Sequence, residues 1–154
     1  VTALPDALLI NGTDLQSIFD VLDLSQLRAP GTKRGSNLTY PNVDGDTYVP
    51  KVYAAYNFDI PAAVSGDDAS STLLARRAAL NAAIDAAGAL LDDGLLVMTR
   101  RLAKVGGGYD STTASGEYNA GLTVQMANPV AGTTVLSFVN LSGCWIDGSG
   151  GKHL

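Results

Sequence analysis

Residues 52–64, VYAAYNFDIPAAV, decide the fold class. Val52, Ala54, Tyr56, Phe58, Ile60, Ala62 and Val64 are all apolar, a period of two held over the whole stretch. A helix would instead need spacings of three and four. The opposite face carries Tyr53, Asn57 and Asp59, so the segment reads as a strand with one face in a core and one in solvent. Pro61 has no N–H to donate to a ladder, which places the strand at an edge or at a bulge.

Downstream, residues 67–71 offer helix N-caps, and the spacing of Leu73, Leu80, Ile84, Ala87 and Leu91 predicts one helix with a single apolar stripe. Asp92-Asp93-Gly94 ends it, Gly94 suiting the left-handed position after the cap. Residues 95–103 read as a strand and residues 104–116 as a Gly/Ser/Thr loop. Residues 117–126 alternate again, with Tyr118, Ala120, Leu122, Val124 and Met126 on one face. A turn from Asn128-Pro129 to Gly132 leads into a strand over 133–141. Cys144 and Trp145 read as core or interface residues, and 148–154 as a frayed tail.

Upstream, residues 7–10 form a short strand entering an Asn11-Gly12 turn. Residues 14–24 return either as a second extended segment or through a helical turn. Residues 28–50 change character, with three prolines, several glycines and few aliphatics, and read as a long loop or extended arm. The order is strand, strand, arm, strand, helix, three strands. That pattern predicts a single domain over 1–154 of the α+β class, an antiparallel β-sandwich or barrel with one flanking helix and a long extended loop at 29–50.

Composition narrows the function. Ten basic against fifteen acidic residues give a net charge of −5, a poor electrostatic match to nucleic acid. Cys144 is the single cysteine and His153 the single histidine, at the penultimate position, so neither a zinc site nor a Ser–His or Cys–His centre has its parts. No cofactor is expected. No apolar run spans a bilayer and no basic leader precedes the first strand, which predicts a soluble, intracellularly made protein. Charged residues are only 16%, against about 25% in ordinary domains, and so sparse a charge hints at surface covered by neighbours.

Candidate motifs fail on spacing. Asn42, Asp44 and Asp46 alternate like the start of a calcium loop, but Gly45 falls too early and no glutamate closes it. Gly106-Gly107-Gly108 and residues 148–152 lack the spacing of a phosphate loop. Asp92-Asp93 has no neighbour to tune it for acid–base work. Asn11, Asn37 and Asn140 open glycosylation-like triplets that carry no meaning without a leader. The pairs Arg76-Arg77 and Arg100-Arg101 suit either a solvated face or a carboxylate on another chain.

The opening LLINGTDLQ, the arm LRAPGTKRGSNLTYPNVDGDTYVP, the strand YNFDIPAAVSGDD and the helix RRAALNAAIDAAGALLDDG together carry a family resemblance. GLLVMTRRLA and ASGEYNAGLTVQMANPVAGTTVLSFVNLSGCW complete it. The chain resembles the tail-tube-like proteins of long-tailed bacteriophages and, more narrowly, the N-terminal domain of distal tail proteins. The resemblance implies a structural virion protein without catalysis, assembled in the bacterial host cytoplasm as hexameric rings. Stacked rings would enclose a channel through which DNA passes without specific binding. Tape measure, tip and terminator proteins would be its other partners, with no membrane involved. Many distal tail proteins carry a second domain, and the chain ends at Leu154 without one, which leans the expectation toward the repeating tail tube. Distal tail and terminator rings are the close rivals. Val1 and the Ala-rich, Lys-poor composition fit a GC-rich host.

Within that frame, Lys33, Arg34, Tyr40, Asp44, Asp46 and Tyr48 of the arm are the expected subunit contacts. Asn57 and Asp59, or Glu117, Asn119 and Gln125, are two alternative strand faces for the channel lining. From a different class, a carbohydrate-binding sandwich would use Tyr40, Tyr48, Tyr53 and Trp145 as stacking platforms.

Overall fold

The computed structural model describes residues 4–28, 31–66, 72–92, 94–118 and 122–153 of the 154-residue chain. Strand β1 (Ala7–Ile10) turns through Asn11 and Gly12, at φ 50 and 85, into β2 (Thr13–Asp14). Two successive left-handed residues match the twist of a tight hairpin. A single 3-10 turn, Leu15–Ser17, follows, its N-cap Asp14 accepting from the Gln16 N–H at 2.9 Å. Then come β3 (Asp20–Val21) and a second 3-10 turn, Ser25–Arg28. Both readings of 14–24 were therefore partly right: short extended pieces separated by helical turns.

The arm holds β4 (Thr32–Arg34), β5 (Leu38–Thr39) and β6 (Asp46–Thr47), and returns through β7 (Val52–Ala54) to the long β8 (Tyr56–Ser65). Helix α1 (Leu73–Leu91) is followed by β9 (Leu96–Ala103), β10 (Tyr109–Tyr118), β11 (Gln125–Asn128) and β12 (Ala131–Asn140). The short β13 (Trp145–Ile146) and β14 (Lys152–His153) close the order. The main sheet runs β2-β1-β9-β10-β12-β8-β3, with β11 on β12 and the β13–β14 pair on β10. It is a curled, antiparallel half-barrel with one helix, the α+β architecture expected from the sequence.

The alternation in residues 56–65 points Phe58, Ile60, Ala62 and Val64 into the curl. They meet Leu136 and Phe138 of β12, Leu96 and Met98 of β9, and Leu8 and Ile10 of β1. Phe58 stacks on Phe138 with ring centroids 5.5 Å apart and tilts against Trp145 at 6.2 Å. Leu80, Ala87 and Leu91 of α1 close the same core, which explains their spacing of seven and four. The helix lies so close to Gly66 that a Cβ there would strike the Arg76 carbonyl. Only glycine fits under that turn.

Pro61 is accommodated without a bulge. Its carbonyl accepts from the Leu22 N–H at 2.9 Å, on the β3 side of the strand, and its nitrogen lies on that same side. The missing N–H therefore faces the two-residue β3 and costs nothing in the ladder with β12.

Several expectations need correction. Residues 104–116 are not a loop: only 104–108 turn, and β10 runs beside β9 from Tyr109↔Ala103 to Gly116↔Leu96. The inward positions of β10 are Thr112, Ala114 and Gly116, small because Met98 fills the space above Gly116. The strand read at 117–126 is really the end of β10 and, separately, β11. Ala120 lies outside the described residues, and Met126 is exposed. Leu73 is 57% exposed rather than part of the stripe, and the helix N-cap is Thr72, accepting from Ala75 N–H at 3.3 Å. The caps proposed in 67–71 lie outside the described residues. The expected frayed tail carries β14, which pairs Trp145↔His153 and Ile146↔Lys152.

Candidate assembly surfaces

The arm is a β-ribbon rather than a plain loop. At its root β4 pairs with β7, Lys33 opposite Tyr53, and farther out β5 pairs with β6, Leu38 opposite Thr47. Local side-chain bonds hold its shape, since its strands are too short for a core. Thr39 Oγ1 donates to Asp46 Oδ1 at 2.8 Å, and Lys51 Nζ donates to Asn37 Oδ1 at 2.8 Å. Lys33 and Lys152 lie over the Tyr53 ring at 5.3 and 5.9 Å, and Lys51 lies over Tyr48 at 4.9 Å.

All six expected contact residues, Lys33, Arg34, Tyr40, Asp44, Asp46 and Tyr48, sit on this ribbon and are exposed. Leu38, Val43 and Val52 are exposed beside them, and Tyr48 reaches 71%. Five apolar side chains on one thin projection make a surface that water covers poorly. The ribbon thus presents apolar area flanked by charges of both signs.

The second surface is the outer face of the sheet. Asn57, Val139 and Glu117 form one row across β8, β12 and β10, and Asp59 stands opposite Ser137 in the next position along. Gln125 and Ala63 flank Thr133 on the same side. Residues directly opposite in a ladder share a face, so the described residues of the two alternative sets, Asn57 and Asp59 with Glu117 and Gln125, lie on one face. Asn119 lies outside the described residues. The face continues through Ser111, Thr113 and Ser115, with Arg101 opposite Ser111 as its basic group on β9. It is a surface of hydroxyls, amides, two carboxylates and the Arg101 guanidinium, interrupted by Val97, Val135 and the half-buried Val139.

Trp145 does not belong to any surface. It is 0% exposed, and its Nε1 donates to Tyr56 Oη at 2.8 Å, beside Asn140, whose Nδ2 donates to the same oxygen at 3.4 Å. That removes Trp145 from the sugar-stacking set and buries Asn140, one of the three glycosylation-like asparagines. Cys144 is buried as a free thiol. Arg100 is also buried, whereas Arg101 is exposed. The signal was present in the alternation Leu96, Met98, Arg100, which puts all three on the inward face of β9.

The N-terminal strand is tied down by Asp6. Arg28 Nε and Nη2 donate to its two oxygens at 3.0 Å each, and the Ala103 N–H donates to Oδ1 at 2.9 Å. Burial pushes the Asp6 carboxyl up, but the Arg28 and Ala103 donors outweigh it and leave the pKa below the ordinary value. Among the described residues, no three of His, Cys, Asp and Glu gather where they would hold a metal, and no helix is long and apolar enough to cross a membrane.

No protein-family model matches the chain, and no curated protein matches its sequence. Among solved structures, the chain is similar to the Dit protein (gp 19.1) of phage SPP1, reported as a paradigm of the hub adsorption apparatus in phages infecting Gram-positive bacteria. The TM-score is 0.60 at 20% sequence identity, over 92% of this chain and 52% of that one. The likeness is one of fold, and it spans almost everything described above. The chain covers about half the length of that protein.

Proposed function

We propose that the chain is a structural protein of a bacteriophage tail, of the distal tail or hub kind, which assembles into a ring through its arm. The observation that carries this reading is the fold likeness to SPP1 Dit over 92% of the chain. The sequence leaned toward the repeating tail tube, and the likeness supports the distal tail alternative instead. The exposed ribbon supplies an apolar, charge-flanked contact for a neighbouring copy. The polar outer face of β8, β12 and β10 supplies a lining on which DNA would slide rather than adhere. Ring formation, the six-fold number, the other tail proteins as partners and a place in the virion all belong to this proposal.

Negative-stain electron microscopy of the purified protein tests it. Discrete single rings are expected for a hub. Long tubes would return the role to the tail tube, and monomers at high concentration would remove the assembly reading altogether.

A further inference from the structure

Arg100 is 4% exposed, and both of its hydrogen bonds go to neutral oxygens. Nε donates to Thr112 Oγ1 at 3.2 Å and Nη1 donates to the Leu27 carbonyl at 2.8 Å. The guanidinium carbon lies 4.9 Å from the centre of the Trp145 ring. Among the described residues no carboxylate stands within ion-pair distance of it. Burial pushes its pKa down, the Tyr56 hydroxyl opposes that, and the nearby Arg28 adds to it. An arginine keeps its proton even so, and the charge remains in place. A buried charge without a counter-ion is strongly disfavoured.

The side chain forms part of the wall of a cavity of about 230 Å³, together with Leu102, Asp110, Ser111, Thr112, Asp147 and His153. The two carboxylates on that wall are already engaged. Asp110 pairs with Lys104 at 3.1 Å. Asp147 pairs with His153 at 2.9 Å and accepts from the N–H groups of Ser149 and Gly151. The Thr112 hydroxyl, opposite Arg100 in the ladder, remains beside the guanidinium as a polar group of the wall.

We propose that the Arg100 cavity is a carboxylate-binding site, which takes either a small free carboxylate or the acidic side chain of another chain. A planar guanidinium matches a carboxylate in a two-pronged contact, and an incoming anion supplies the counter-ion that the fold withholds. The volume suits a carboxylate head and lies below the range of about 300–1,000 Å³ typical for larger organic ligands. The site itself stands independently of the tail reading, and only the sedimentation experiment that assigns the source of the carboxylate rests on it.

Trp145 is the single tryptophan, so its fluorescence reports on the guanidinium beside it. Sodium acetate is titrated against sodium chloride at constant ionic strength. A saturable change with acetate and none with chloride is expected. Arg100→Lys, which keeps the charge and loses the fork, should weaken the response at least tenfold. The parent chain needs no variant for a second reading: its unfolding midpoint should rise by about 3–6 °C at ten times Kd. Sedimentation of the parent in acetate then separates the two sources. Dissociation of assemblies by acetate identifies an acidic side chain, and unchanged assemblies identify a free carboxylate. A parent response no greater to acetate than to chloride, or one undiminished in Arg100→Lys, overturns the proposal.

Discussion

Asn57 and Glu117 flank Val139 from opposite sides in one row across three strands, so two stretches far apart in sequence present a single polar face. Asp59, one step along β8, adds a second carboxylate to it. If this face lines a channel as proposed, it would repel phosphate rather than grip it. The assembled parent protein should therefore not retain duplex DNA on a filter at moderate salt. The double variant Asp59→Lys and Glu117→Lys should retain it, with affinity that falls steeply as salt rises. Retention by the parent would refute the sliding surface.

The helix stripe sets a second expectation. Leu80 and Leu91 are buried to within a few per cent, and replacing either by alanine should cost about 2–5 kcal/mol in chemical denaturation. Ile84 packs only partly against the core, so Ile84→Ala should cost less, about 1–2 kcal/mol. Equal losses at all three positions would show that the helix seats differently. Gly66→Ala should cost about 1–3 kcal/mol because the obstacle is the helix backbone, which cannot rotate away.

Arm and core are separable. Every residue of β4, β5 and β6 is exposed, and none belongs to the core. Deleting 32–46 should leave far-ultraviolet circular dichroism and the denaturation midpoint near the parent's values. The same variant should sediment as a monomer under conditions in which the parent assembles. Normal assemblies from it would exclude the ribbon as the subunit contact.

Asp6 predicts the acid limb of stability. Its folded pKa lies below the ordinary aspartate value of about 3.9, so its contribution is fully present above that value. The contribution is lost as pH falls from there through the depressed folded value. Asp147, lowered chiefly by the His153 contact, acts in the same direction. Urea midpoints measured from pH 6 down to pH 2 should fall more steeply for the parent than for Asp6→Asn. Parallel curves would show that the Asp6–Arg28 contact does not couple to folding.

What the sequence disclosed follows from where bulk was needed. Residues 56–65 were legible because Phe58, Ile60 and Val64 fill a core and must alternate with polar neighbours. Helix α1 was legible through Leu80, Ala87 and Leu91 for the same reason, and at its end through Asp92 and Gly94. Its cap Thr72, by contrast, falls just past the stretch 67–71 where caps were expected. β10 was hidden because Met98 takes the volume its own side chains would fill, leaving Thr112, Ala114 and Gly116, which read as loop. β14 was hidden because its two residues are held by the ladder with β13 and by the His153–Asp147 contact and carry no apolar pattern. The shared polar face could be read residue by residue but not as one surface, since register between β8, β12 and β10 has no local sequence signal. Arg100 was noticed for its charge, and only the parity of β9 shows that it points inward.

The strands at the two ends of the sheet, β2 and β3, belong to one short segment, with only the 3-10 turn Leu15–Ser17 and two further residues between them. One strap thus fastens both margins of the curl: Leu9↔Asp14 on the first side and Val21↔Ala62 on the other. Such a sheet behaves as a hoop rather than a page. Neither margin can peel away while the other holds, because slack on one side becomes tension on the other. Amide protons at Ile10 and Ala62, on strands that never touch in the ladder, should then exchange with solvent through one common opening event.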